Sequence, residues 1–162
     1  MLNRINDFLD KNNIISPNQH GFRKGKNINS LFGSFCNKVN TSLNINHHIL
    51  VVFIDFSKAF DTLNHITLLN KLNNIGIGAL YEWIKDYLLN RKFEVKIDSY
   101  VSSEICLNYG VPQGSKLGPL LFIIYINDLL FLLNKTSFAY ADDISIVIDH
   151  VNLDIAKLTT MY

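Results

Sequence analysis

A chain of 162 residues is the size of one ordinary domain and long enough to bury most of the surface its unfolded form exposes. Apolar residues make up 48% of it and charged residues 18%, which excludes a disordered tail. The formal net charge of +1 excludes an argument from overall basicity, so any nucleic-acid partner has to be argued from local clusters.

The predicted elements begin with Met1 to Lys11, where Leu2, Ile5, Phe8 and Leu9 recur at helical spacing until Ser16-Pro17-Asn18 breaks the pattern. No basic start followed by an apolar run and a small-residue cleavage site is present, which predicts an intracellular chain, nuclear or cytoplasmic. Arg23, Lys24 and Lys26 form a basic cluster that is either solvated surface or a phosphate contact. Asn29 or Ser30 is the expected cap of a second helix, in which Leu31, Phe35, Val39 and Leu43 recur every fourth residue, and Asn44 to His48 ends it. Cys36 and Cys106 lack metal-ligand spacing and have apolar neighbours, so both are expected to be buried free thiols.

Ile49 to Ile54 is a continuous apolar, β-branched run that reads as a strand buried on both faces, with Asp55 at its C-terminal end. Leu63 to Leu72 and Ala79 to Leu89 read as helices separated by Gly76 and Gly78. Phe93 to Ile97 alternates apolar and polar residues, predicting a half-buried strand that pairs with Val101 to Leu107 across a turn at Asp98-Ser99. Gly110 to Gly118 is loop, and Pro119 suits the first turn of a long apolar helix. The apolar stretch from Leu117 to Leu133 is broken by Asn127 and Asp128 and is shorter than a membrane span, so no membrane partner is expected. Ser137 to Ala141 and Ile144 to Ile148 then flank Asp142-Asp143, which predicts a β-hairpin with two acids at its tip.

An acid at the end of one strand and two acids between two others invite a chemical reading. A strand end fixes a carboxylate where a loop would let it wander. Carboxylates converging there repel one another unless cations neutralise them, and Mg²⁺ suits clustered carboxylate oxygen. Two such ions roughly 3.5–4 Å apart would serve an in-line phosphoryl displacement. The other reading is a strand-ending acid and two turn residues, because Asp is common in turns.

Residue context decides between them. Gln19-His20-Gly21-Phe22-Arg23 with Ser30, Phe53-Ile54-Asp55-Phe56-Ser57-Lys58-Ala59-Phe60-Asp61 continuing through Thr62-Leu63-Asn64-His65, Gly110-Val111-Pro112-Gln113-Gly114-Ser115 running on to Asp128-Leu129, and Tyr140-Ala141-Asp142-Asp143 follow one another in order. Together they resemble the reverse transcriptase domain of non-LTR (LINE-type) retrotransposons over most of the chain, and four ordered matches are specific where a four-residue string is not.

The resemblance implies a mixed α/β (α+β) fold of the polymerase palm type, an antiparallel sheet backed by helices. Residues 1–48 would form a helical connection between fingers and palm, and residues 49–162 the catalytic palm. The activity implied is RNA-directed DNA synthesis, with an RNA or DNA template, a primer and deoxynucleoside triphosphates as partners. Two Mg²⁺ ions are the implied cofactor, with Mn²⁺ as substitute. Asp55 and Asp142 would ligate both ions, Asp143 would lie more peripherally, and the Phe56 carbonyl would contact the nucleotide-bound ion. Phe60 would exclude a ribose 2′-hydroxyl, for which a rigid ring is suited, or else pack in the core. Gln113 and Gly114 would meet the incoming nucleotide, and Arg23, Lys24 and Tyr140 the nucleic acid. His20 and His65 receive no proton-transfer role.

Lys116 stands where the family pattern has an apolar residue. Finger strands before Gln19 and a thumb after the third motif are expected to be missing, along with other retroelement domains such as an endonuclease. The alternative expectation is therefore a truncated, inactive fragment with a palm-like fold and at most weak nucleic-acid binding.

Overall fold

The computed structural model describes residues 2–89, 91–133, 137–152 and 154. Met1, with which the first predicted helix begins, and residues 155–162 at the end of the expected palm lie outside them. In chain order the elements are α1 (Leu2–Lys11), α2 (Ile28–Asn44), β1 (His48–Ile54), α3 (His65–Asn74), α4 (Leu80–Leu88), β2 (Lys92–Phe93), β3 (Lys96–Ile97), β4 (Tyr100–Val101), β5 (Ile105–Cys106), α5 (Gly118–Tyr125), α6 (Asn127–Leu133), β6 (Ser137–Tyr140) and β7 (Asp143–His150). They gather into two compact units, one from residues 2–14 and 58–125, the other from 15–57 and from 126 onward. The boundary expected after residue 48 falls inside the second unit, at the first residue of β1.

The first unit is mainly helical. α5 buries Leu120, Leu121, Phe122, Ile123 and Ile124, so it is apolar nearly all round, and α3 packs against it with Leu68, Leu69 and Leu72. α4 adds Ile84 and Leu88 against α3, and α1 buries Ile5 and Leu9. Each such side chain removed from water contributes about 1.5–3 kcal/mol. The single long helix expected after Pro119 is two helices, α5 and α6, parted at Ile126. The Asn127 side-chain oxygen that follows the break accepts the Ser16 N–H at 2.8 Å. Among the described residues no helix is long and apolar enough to cross a membrane.

The half-buried strand expected at Phe93 to Ile97 is also corrected. Two separate two-residue ladders form instead, β2 with β5 and β3 with β4, and all eight residues are exposed. The turn at Asp98-Ser99 is present between β3 and β4, with Asp98 at φ +53°. Cys106 is consequently exposed on β5 and Cys36 is only partly covered, so neither is a buried thiol. Alternation in sequence reported the strand period but not that nothing would cover either face.

The second unit is an antiparallel sheet in the order β1-β7-β6, with α2 packed on it and α6 against β6. β1 is therefore an outer strand and not one buried on both faces; its interior residues are half-covered and Phe53 is 77% exposed. On one face Leu130, Ala139 and Ile144 form a buried cluster joined by Ile54 and Phe56. On the other, Phe35 of α2 meets Phe138 edge to face at 5.7 Å. α2 is capped two residues earlier than Asn29: Asn27 is the N-cap, and Ser30 is its reciprocal partner in a capping box, which satisfies two otherwise orphaned backbone N–H groups.

Candidate active site

The sheet register brings two of the three predicted acids together. Phe53 pairs with Ser145 and Ile54 with Ile144, so Asp55 leaves β1 opposite Asp143, which in turn pairs with Tyr140 of β6. Paired residues of an antiparallel ladder share a face. Asp55, Asp143 and Tyr140 accordingly line one hollow of about 290 Å³ together with Phe53, Phe138 and Leu31. The tip of the hairpin is Ala141-Asp142, and Asp143 belongs to the strand, so the two acids are not both turn residues. Asp142 is half-buried in that turn, while Asp55 and Asp143 are exposed.

Carboxylate oxygens are the donors that hard divalent cations prefer. The donor chemistry of all three acids, and the meeting of Asp55 with Asp143 at one hollow, fit such an ion. Among the described residues no group of three His, Cys, Asp or Glu side chains is drawn close enough to hold one. Phe56 packs its ring against the Leu130, Ala139 and Ile144 cluster, which anchors the backbone directly after Asp55.

The turn carrying Asp142 is held from outside the hairpin. Residues 18–20 run parallel to β6: His20 N–H donates to the Ala139 carbonyl at 2.8 Å, and Ala139 N–H donates to the Asn18 carbonyl at 2.9 Å. This seats Gln19, which is fully buried, beside Ala141. Its Oε1 accepts the N–H groups of Gly21 at 2.8 Å and Ala141 at 2.9 Å, and its Nε2 donates to the Ala141 carbonyl at 3.1 Å. Ala141 has φ +57°, a conformation that costs a non-glycine residue about 1–3 kcal/mol unless its surroundings impose it. Gly21 presses on the same residue, since a Cβ there would lie 2.3 Å from the Ala141 nitrogen.

The basic cluster divides. Arg23 donates to the carbonyls of Ser16 at 2.9 Å and Ile15 at 3.4 Å, Lys26 donates to that of Pro17, and Lys24 is exposed. His20 is buried against the Ser30 hydroxyl at 2.7 Å. Burial first, then the charges of Lys26 and Arg23, lower its pKa and keep it neutral.

The first unit contains a second hollow, about 400 Å³, lined by Phe60, Pro112, Gln113, Gly114 and Ser115. The Phe60 ring packs on Phe122 at 4.6 Å. Val111 N–H donates to the Phe60 carbonyl at 3.0 Å, Gly110 N–H to that of Leu63 at 2.7 Å, and Gln113 Nε2 to the Asp61 carboxylate at 3.0 Å. Buried His65 meets the Gly110 carbonyl through Nε2 at 2.7 Å, so that nitrogen carries the proton and the ring is a strut for the loop. Gly110 has φ +77° and its Cα lies so near Asp61 that a Cβ would meet that backbone at 3.0 Å.

Phe60, Gln113 and Gly114 thus share the hollow of one unit, and Asp55, Asp143 and Tyr140 that of the other. Sequence reasoning assigned no role to Gln19, Gly21 or Asp61. Gln19 and Gly21 stand in the first of the ordered motifs, which marks the segment but names no partner for either.

Residues 1–161 match the family described as reverse transcriptase (RNA-dependent DNA polymerase). The chain is 32% identical over 127 residues to the probable RNA-directed DNA polymerase from transposon BS of Drosophila melanogaster, covering 78% of this chain and 14% of that protein. It is 31% identical to the probable polymerase from transposon X-element of the same fly, over 88% of this chain and 16% of the relative. The RNA-directed DNA polymerase from mobile element jockey is 32% identical over 80% of this chain and 14% of its own length. The chain therefore spans about one seventh of these relatives. Apo telomerase from Candida tropicalis, truncated from its C-terminal domain, superposes with a TM-score of 0.70 at 15% identity, covering 99% of this chain and 35% of that one, which shows the palm-type fold.

Proposed function

Because the chain belongs to the reverse transcriptase (RNA-dependent DNA polymerase) family, we propose that it carries the catalytic palm of a non-LTR retrotransposon polymerase, extending a primer 3′-hydroxyl with deoxynucleoside triphosphates on an RNA or DNA template. The observation that carries this reading is the meeting of Asp55 and Asp143 at the end of the β1–β7 ladder, with Asp142 in the adjoining turn. Residues 1–48 are assigned to the connection between fingers and palm and residues 49–162 to the palm.

Asp55, Asp142 and Asp143, with the Phe56 carbonyl, are the residues that would hold two Mg²⁺ ions or their Mn²⁺ substitutes. Such ions, when bound, supply activation of the attacking hydroxyl and charge neutralisation at the leaving oxygen. Phe60 presents a ring packed on Phe122, and a flat ring suits steric rejection of a 2′-hydroxyl. Gln113, held through Asp61, and Gly114 offer an uncharged approach to the nucleotide. Arg23 and Lys24 are assigned to template or primer phosphate, and Tyr140, beside Asp55 and Asp143, to the nucleic acid.

Primer extension by the purified chain tests the reading. Asp55→Asn and Asp142→Asn are each expected to reduce extension by roughly a hundredfold or more while leaving the circular dichroism spectrum unchanged. Equal extension by variant and wild type overturns the assignment. Phe60→Val is expected to weaken discrimination against ribonucleoside triphosphates by roughly tenfold to a hundredfold, read by competition between the two sugar types.

A further inference from the structure

We propose that Gln19 is a positioning residue for the acidic turn, fixing Ala141 so that Asp143 faces Asp55 and Asp142 is held in the turn beside them. The inference rests on the reading of these acids as the metal site, yet it has a readout of its own. Gln19 is remote in sequence from the hairpin, fully buried, and engages both backbone polar groups of the one hairpin residue with positive φ. A residue that served only to fill space would need no amide. A residue that served only its own loop would bond Gly21 and stop there.

The two halves of the carboxamide do separate work. Oε1 takes two N–H groups that strand pairing leaves over, and Nε2 satisfies a carbonyl in the turn. Together they over-determine the peptide geometry on either side of Ala141, which is how an unfavourable φ persists. The parallel pairing of residues 18–20 with Ala139 keeps the clamp in register with β6, and the absence of a Cβ at Gly21 lets the two backbones approach. Outer groups that orient ligands in this way commonly govern metal affinity without touching the ion.

Hydrogen exchange resolved at single amides, combined with Mn²⁺ titration, tests the proposal on the 162-residue chain. In the wild type the Ala141 and Gly21 amides are expected to exchange as slowly as ladder amides of β7, although both lie outside the strands. Fast exchange there overturns the clamp, whatever any variant does. Gln19→Met, which keeps the volume and loses both hydrogen-bonding ends, is expected to expose these two amides and to weaken Mn²⁺ binding about tenfold or more. Unchanged Mn²⁺ affinity in Gln19→Met, with affinity abolished in Asp142→Asn, overturns the positioning role. If Asp55→Asn and Asp142→Asn both bind Mn²⁺ like wild type while Gln19→Met opens the Ala141 amide, the metal reading fails and the clamp stands.

Discussion

Asp55 and Asp143 are placed by the register of seven consecutive pairs between β1 and β7, whereas Phe60, Gln113 and Gly114 are placed by hydrogen bonds that tie one loop to another. A ladder spreads its positional information over many backbone bonds, so loss of one side chain moves its end little. A loop held by His65, Asp61 and two backbone hydrogen bonds concentrates the same information in a few groups. The acid site should therefore fail abruptly, when something forces the backbones apart, and the loop site by degrees.

The largest effect expected from a single methyl is at Gly21. Gly21→Ala drives a Cβ into the Ala141 nitrogen and should destabilise the second unit by about 3 kcal/mol, read from the urea midpoint; a loss under 1 kcal/mol would show that the backbones part easily. Next comes Asp149, near the far end of β7 from the acids. Its carboxylate accepts hydrogen bonds from Lys38, His47 and Ser42, and the Lys38 contact, the largest cause, outweighs burial to hold its pKa at about 2. The folded pKa is the depressed one, so this stabilisation, roughly 2 kcal/mol, is present above pH 4 and is lost as pH falls toward 2. Asp149→Asn should cost about that much at neutral pH and flatten the acid limb of the stability curve.

At the loop, His65→Leu leaves the buried Gly110 carbonyl without its donor, which should cost about 1–2 kcal/mol and weaken nucleotide binding while Mn²⁺ affinity at the acids stays constant. A parallel fall in both would contradict the separate construction of the two sites. Smallest is Glu104→Gln: its bond to Lys92 is exposed at both ends, and the thermal midpoint should move by no more than about 1 °C.

Much of the second unit's plan was legible. The β-branched run before Asp55 and the two runs around Asp142-Asp143 named three strands, because strand propensity and turn chemistry are local. That Ile49 to Ile54 would form an outer strand was not legible, since an apolar run does not say what covers it. The capping box at Asn27 and Ser30 was missed by two residues, which is within what a choice among neighbouring polar residues can resolve. The short ladders between Lys92 and Cys106 kept their alternation but not their burial. The ordered motifs pointed to the acids and to the loop. Gln19 stood inside one of those motifs, yet its function depends on a partner 122 residues away, and no pattern within a window of sequence contains that.

The same separation governs how the molecule comes into being. The β6–β7 hairpin closes over a two-residue turn and can form in microseconds, but β1 joins it only by spanning the gap from His48 to His150, with most of the first unit lying in the loop so closed. Closure of so long a loop costs entropy before the ladder repays it. Contact order therefore predicts that the acids are brought together late, after the helices between them have taken shape. Until then the hairpin presents one strand edge without its native partner, so the interval before β1 docks is when the chain is most exposed to pairing with a neighbour.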